Sequence, residues 1–297
     1  MAKLAAIGLL FLAGVLLRRI GWLDARHASR LLRIVAKFGL PALIIGAVGR
    51  VPVEPALLAL PASAAAVMLA VGLLAGAAAR LLGLDRPSTG ALVVSAMAMN
   101  LAFVFPFVFL AWGPQALMHT VIFDAGNAVT QWTLVYLLAA RYGGHAADAR
   151  AIVGRMALAP PFLALIVALL VNRLAPPQAA EFLDLLRIVG QLITLLVLPA
   201  MGLLFDARRI AAPEVLAAAA LRCGAGASVG ALIALAFDFD STIAAVTIVG
   251  SAAPVGFGAV VMAEREGLDV GLVVAAASLS TLVAMVALPA LLTVLGR

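Results

Sequence analysis

The residues that most restrict this chain lie at 243–261, an apolar run long enough to cross a bilayer. Pro254 interrupts it at the midpoint, with Gly256 and Gly258 just behind. A proline there deletes a helix hydrogen bond where lipid supplies no replacement. The freed backbone groups must then be satisfied by protein or by a water-filled cavity. The first half of the chain carries a counterpart from Asn100 to Pro106 (Asn-Leu-Ala-Phe-Val-Phe-Pro), again inside an apolar run. Interruptions at corresponding places in two halves of a membrane protein point to a transporter's substrate site.

Composition sets the class. Hydrophobic residues are 65% of the 297, charged residues 11%, and mean hydropathy is +1.19. A soluble domain is excluded, and the chain reads as an all-α polytopic membrane protein. The net charge of +6 comes from basic residues scattered through short loops, not gathered on one face, so no nucleic-acid partner is expected. Cys223 is the one cysteine; it lies in an apolar run and suits a small core position. His27, His119 and His145 lack metal-ligand spacing, and no metal or other cofactor is expected. Only Lys3 precedes the first apolar stretch while Arg18 and Arg19 follow it, the wrong order for a cleaved signal. HExxH, GxSxG, a phosphate-binding glycine loop and paired aspartates are all missing, so the chain reads as a non-enzyme.

Ten spans are expected, at about 3–18, 31–49, 56–80, 88–112, 116–139, 157–174, 183–204, 214–236, 241–263 and 271–294. The connector from Arg141 to Arg155, with Gly143 and Gly144, separates two blocks of five and sets repeats at 1–145 and 146–297. With the N-terminus outside, inner loops hold Arg18, Arg19, Arg26, Arg30, Arg80, Arg86, Arg141, Arg150, Arg155, Arg208, Arg209 and Arg265. Outer segments hold only Lys3, Arg50, Arg173 and Arg297. This asymmetry orients the chain in the inner (plasma) membrane with both termini outside, on the periplasmic side in a bacterium. An odd number of spans per block makes the second block an inverted repeat of the first. Leu-Leu-Arg-Ile-Val at 31–35 and again at 185–189 falls at equivalent places in the two blocks.

On this topology Pro106 and Pro254 each open a second half-helix, the position where a missing N–H costs nothing. Both half-helices would point their N-termini at the bilayer midplane. Each such end carries about +0.5 charge and free N–H donors, so two of them form an anion site with no cationic side chain. Span five adds a stripe, Thr120, Asp124, Asn127 and Gln131, on one helix face. Asp124 lies about eight residues from the span's outer end, roughly 12 Å deep at ~1.5 Å per residue. A carboxylate there costs about 2.5–3.5 kcal/mol on insertion scales and should face the protein interior. It can carry a proton, coordinate a cation or pair with a basic residue. Arg222 in span eight is its candidate partner, or else a fork for a substrate carboxylate. Ser278 and Thr281 occupy one face of span ten, at the place symmetric to the stripe of span five. Asp184 and Arg187 suit a structural i, i+3 pair. Arg26, Arg30, Arg33 and Lys37 suit an anchor among inner-surface lipid head groups.

Several segments taken in order resemble one family. They are 14–23 (Gly-Val-Leu-Leu-Arg-Arg-Ile-Gly-Trp-Leu) with 39–43, then 100–106, Trp112-Gly113 and 123–127 (Phe-Asp-Ala-Gly-Asn). In the second half they are 251–254 (Ser-Ala-Ala-Pro), 266–269, 280–282 and Leu288-Pro289. The chain resembles the auxin efflux carrier family, within the superfamily that includes the bile-acid sodium symporters. The resemblance implies ten transmembrane helices as two inverted five-helix repeats. Spans one, two, six and seven would form a scaffold, often a homodimer. Spans three to five and eight to ten would form a mobile core in which broken helices four and nine cross. The usual glycine near the first break is missing between Asn100 and Pro106. Span three also lacks the acid of plant carriers, so plant-type proton or auxin handling does not follow.

The expected function is a secondary transporter of a small organic anion, a malate-, malonate- or auxin-like carboxylate, working by alternating access. Expected substrate residues are Asn100, Pro106, Asp124, Asn127, Ser251 and Pro254, with Arg222, Ser278 and Thr281 as further substrate or charge partners. Beyond substrate and membrane lipid, a proton or sodium is the open choice of coupling ion. A sodium-coupled bile-acid-type symporter is the alternative, and a sensor or receptor without transport is the alternative from another class.

Overall fold

The computed structural model describes residues 2–49, 55–144, 160–174, 179–206 and 208–296. The expected repeat boundary at 145–146 falls outside these residues, as do Arg50, Arg150, Arg155 and Arg297 of the charge tally. Among the described residues the regular structure is helical, with no strand beyond one isolated bridge.

The helices are α1 (Ala2–Arg19), α2 (Arg26–Val48), α3 (Ala59–Leu81) and α4 (Arg86–Met97). The run Leu101–Gly143 follows and changes direction at Gly113, dividing into α5 (101–112) and α6 (114–143). Then come α7 (Pro160–Leu174), α8 (Ala180–Leu204), α9 (Pro213–Ala236), α10 (Ser241–Ser251), α11 (Phe257–Glu266) and α12 (Val270–Leu295). Among the described residues six helical segments are long and apolar enough to cross a membrane: α2, α3, the run 101–143, α8, α9 and α12. Gly113 has φ 82°, a backbone conformation that favours glycine, and Pro114 opens α6 at the position proline tolerates.

Four of the chain's acids cap helix starts. Asp24 accepts from the N–H groups of Arg26 and His27 at α2, and Asp85 accepts from Ser88 N–H at α4. Asp240 accepts from Thr242 and Ile243 at α10, and Asp269 from Leu272 at α12. Each takes up N–H groups that a helix start leaves without partners. Hydrogen bonds from Ser88 hold the Asp85 carboxyl below the usual carboxylate range.

Packing pairs the helices in two sets. Helix α8 lies along α2 and α1, and α7 lies along α2. Helix α3 lies along α4 and the 101–143 run, α9 along α10 and α12, and α10 against the 101–143 run. The 101–143 run also supplies most of the contact between the sets, against α1, α2, α7 and α8. Arg18 at the end of α1 donates to Leu203 O (2.9 Å) and Phe205 O (2.7 Å), tying it to the end of α8. Asp184 and Arg187 pair at 3.3 Å, as their spacing predicts.

Helices α2 and α8 approach closely because glycines face backbone in both directions. A Cβ at Gly190 would run into the backbone of Leu43, and one at Gly46 into that of Arg187 and Leu183. Gly190→Val should therefore destabilise the protein by about 1–3 kcal/mol. Gly76→Ala, where a Cβ meets open space, should be neutral or stabilising by up to about 1 kcal/mol. Thermal unfolding of the two variants in detergent measures both signs.

Candidate functional site

Two helix interruptions lie side by side. Helix α4 ends at Met97 and α5 begins at Leu101; α10 ends at Ser251 and α11 begins at Phe257. The unwound segments pair in antiparallel fashion through Met99 and Val255. Asn100 N–H donates to Pro254 O, and Gly256 N–H donates to Ala98 O, both at 2.9 Å. Four of the backbone groups freed at the breaks thus satisfy one another across them.

The outward-facing groups of this short ladder are held by side chains. Asn127 of α6 accepts from Met99 N–H (3.4 Å) and donates to Met99 O (3.3 Å). On the other strand, Ser280 of α12 accepts from Val255 N–H at 3.0 Å. Asn127 also donates to Asp124 Oδ1 at 2.8 Å, so the Asp124 carboxylate orients the amide that grips Met99.

The crossing has two electrically opposite sides. On one, the carbonyl ends of α4 and α10 converge on Arg222, which is fully buried. Its Nη1 donates to Ala96 O (2.7 Å) and Met97 O (3.2 Å), and its Nη2 to Ser251 O (2.7 Å). Two helix C-termini of about −0.5 charge each offset roughly one guanidinium charge. Gly226, one turn along α9, leaves the room the guanidinium needs: a Cβ there would meet both Ser251 O and Arg222.

On the other side, the N-termini of α5 and α11 face a cavity of about 340 Å³. Its polar wall is Asn100, Asp124, Asn127 and Gln131, beside Leu101, Ala102, Gly256, Phe257 and Gly258 of the two helix starts. Its apolar wall includes Leu32, Val35 and Leu40 of α2, Trp132 of α6 and Val197 of α8. Asn100 caps α5 by accepting from Phe103 N–H at 3.2 Å, and its amide lies 3.7 Å from Met201 Sδ. Asn100 holds Phe103 N–H and Gly256 O holds Ala259 N–H, while the N–H groups of Leu101, Ala102, Phe257 and Gly258 have no intrahelical acceptor, so this is a concave, mostly apolar site with donors at one end.

Asn100, Asp124 and Asn127 therefore share one cavity. Other expected site residues lie elsewhere. Pro106 does not open a half-helix: α5 begins five residues earlier, at Leu101, with the Asn100 side chain as its cap, and Pro106 sits inside the helix. It lines a second cavity of about 230 Å³ with Leu43, Phe105, Phe109, Gln191 and Thr194. Pro254 also opens no helix; it lies in the unwound segment and contributes its carbonyl to Asn100. Ser251 is fully buried behind the crossing and meets Arg222 through its carbonyl.

Arg222 does not pair with Asp124, because the backbone carbonyls occupy it. Ser278 accepts from Asp206 N–H (2.9 Å) and donates to Val274 O (2.8 Å), linking α12 to the end of α8. Thr281 is buried, and its hydroxyl has no hydrogen-bond partner among the described residues. Thr120 donates to Ala116 O within α6, off the cavity. Ser280, the residue that grips the second break, was not separable from its neighbours by spacing. Which serine of α12 meets Val255 depends on how the helix is rotated in the packing.

Arg222→Leu should leave three buried carbonyls without donors, at about 1–3 kcal/mol each, and abolish monodisperse protein in detergent. Arg222→Lys, which keeps the charge but not the fork, should fold with a lowered thermal midpoint. Asn127→Ala should cost more stability than Ser280→Ala, since Asn127 satisfies both polar groups of Met99 and Ser280 one of Val255. Size-exclusion profiles and unfolding midpoints of the four variants check this order.

No family model matches the chain. It is similar to an "Uncharacterized transporter" of Methanothermobacter thermautotrophicus, 27% identical over 285 residues, with 94% of this chain and 93% of that one covered. With six helical segments fit to span a bilayer, that likeness makes this a membrane protein similar to a transporter.

Proposed function

We propose that the protein is a secondary carrier of a small organic acid, moving it across the inner membrane by alternating access. The observation that carries the reading is the convergence of two helix N-termini, α5 and α11, on one cavity at paired breaks. Their ends sum to about one positive charge, the amount that one carboxylate neutralises. Donors of this kind bind an anion without a hydrated cation having to be stripped first. The likeness to an uncharacterized transporter supports transport in general.

In this reading, α4 with α5 and α10 with α11 each make one pass. Ten passes then form two inverted repeats of five, as in the auxin efflux carrier family. Helices α1, α2, α7 and α8 are the scaffold, which also forms the homodimer, and α3–α6 with α9–α12 move against it. Support comes from the two packing sets and from the cavity's walls, which draw on both. The bias of arginines toward one set of loops supports both termini lying outside.

Asn100→Asp tests the site. Aspartate caps a helix as well as asparagine does, so α5 should form and thermal stability should stay near wild type. The new negative charge stands where the substrate carboxylate would bind. Uptake of labelled mono- and dicarboxylates into proteoliposomes should fall about tenfold or more. Uptake equal to wild type would remove the helix ends as the binding element.

A further inference from the structure

The cavity offers acceptors as well as donors, and the acceptors are under-used. Asp124 lines it, and among the described residues its one hydrogen-bond donor is Asn127. Gln131, one turn further along α6, lines the same wall at 7% exposure. Its Oε1 is buried and, among the described residues, has no hydrogen-bond donor. The other amide atom, Nε2, occupies the space that a side chain at position 258 would fill, so the amide is wedged against the start of α11. A buried carbonyl oxygen left without a donor is unusual in a folded protein and calls for a partner.

Among the described residues no basic side chain lines this cavity. Arg222, the buried cation of the crossing, is spent on carbonyls at the opposite side. The wall's formal charge is therefore already balanced, at about +1 from two helix ends and −1 from an ionised Asp124. A simple anion would leave the occupied site negative and both acceptors unsatisfied. A ligand carrying a carboxylate and a neighbouring cationic N–H donor keeps the site neutral and satisfies both.

We infer that the cargo is a zwitterionic, apolar α-amino acid. Its carboxylate lies at the starts of α5 and α11, its ammonium at Asp124, with the Gln131 amide rotating to bring Oε1 onto it, and its side chain against Leu32, Val35, Leu40 and Trp132. The cavity of about 340 Å³ is at the small end of the ~300–1,000 Å³ range for ligand sites, which suits a single amino acid. This inference rests on the carboxylate site proposed above and adds the second polar group.

The test measures binding to the purified full chain, in detergent and in proteoliposomes, of valine, leucine and phenylalanine. Each is compared with the same skeleton lacking the amine (3-methylbutanoate, 4-methylpentanoate, 3-phenylpropanoate) and with the amine lacking the carboxylate. At least one amino acid should bind about tenfold tighter than both of its truncated forms. Asp124→Asn should erase the preference, so that amino acid and des-amino acid bind within about twofold. Gln131→Leu should weaken it.

Des-amino acids binding as tightly as the amino acids would overturn the inference and leave the carboxylate site standing. Des-amino acids matching them only when sodium is added or pH is lowered would overturn it in favour of an inorganic cation at Asp124. Amines binding while no carboxylate does would overturn both readings. No binding by any of the three amino acids would overturn the inference as well. A preference that survives in Asp124→Asn would remove Asp124 as the ammonium's partner.

Discussion

The contact of Arg222 with three backbone carbonyls, at the ends of α4 and α10, is the interaction on which the crossing depends. Two helices that stop inside an apolar interior leave carbonyl groups that lipid cannot satisfy and partial negative charges that repel. A guanidinium spans both ends with one planar group and brings a full charge to the place where two halves of opposite sign meet. Desolvating an arginine is costly, and the carbonyl dipoles offset that cost where no carboxylate is present. The paired backbone bonds between Ala98–Asn100 and Pro254–Gly256 then hold the strands at fixed register.

Because the negative ends are neutralised on one side, the positive ends are free to act on the other. The starts of α5 and α11 open on a cavity whose one ionisable side chain among the described residues is Asp124. Asn127 links the two functions physically. One amide contacts the backbone at the crossing and the carboxylate at the cavity, so a change in what Asp124 binds reaches Met99 through two hydrogen bonds. Small residues at Gly226 and Gly258 let side chains of α9 and α6 come within reach of the crossing.

Much of this was legible from residue order. Apolar run lengths marked the helices, and Pro254 with its glycines marked the second break. The i, i+3 spacing of Asp124 and Asn127 put them on one face, and that face does meet the cavity. At the first break Pro106 is the conspicuous helix breaker in the sequence, whereas the chain unwinds at Ala98–Asn100, where no residue forbids a helix. There the pairing with the second break and the cap by Asn100 outweigh local preference. Sequence left Arg222 between Asp124 and a substrate carboxylate, whereas its acceptors are backbone carbonyls, two of them in a segment more than a hundred residues away.

What the sequence alone determined was the class of environment and the kind of elements. Long apolar stretches leave only helices as a way to satisfy backbone in lipid, and an intramembrane acid must face inward. What tertiary structure decided was which groups meet: Asn127 with Met99, Ser280 with Val255, Arg222 with the ends of α4 and α10. Those pairings turn on helix rotation and crossing geometry. A periodic apolar pattern specifies them weakly, since lipid-facing and protein-facing sides of a membrane helix are both apolar.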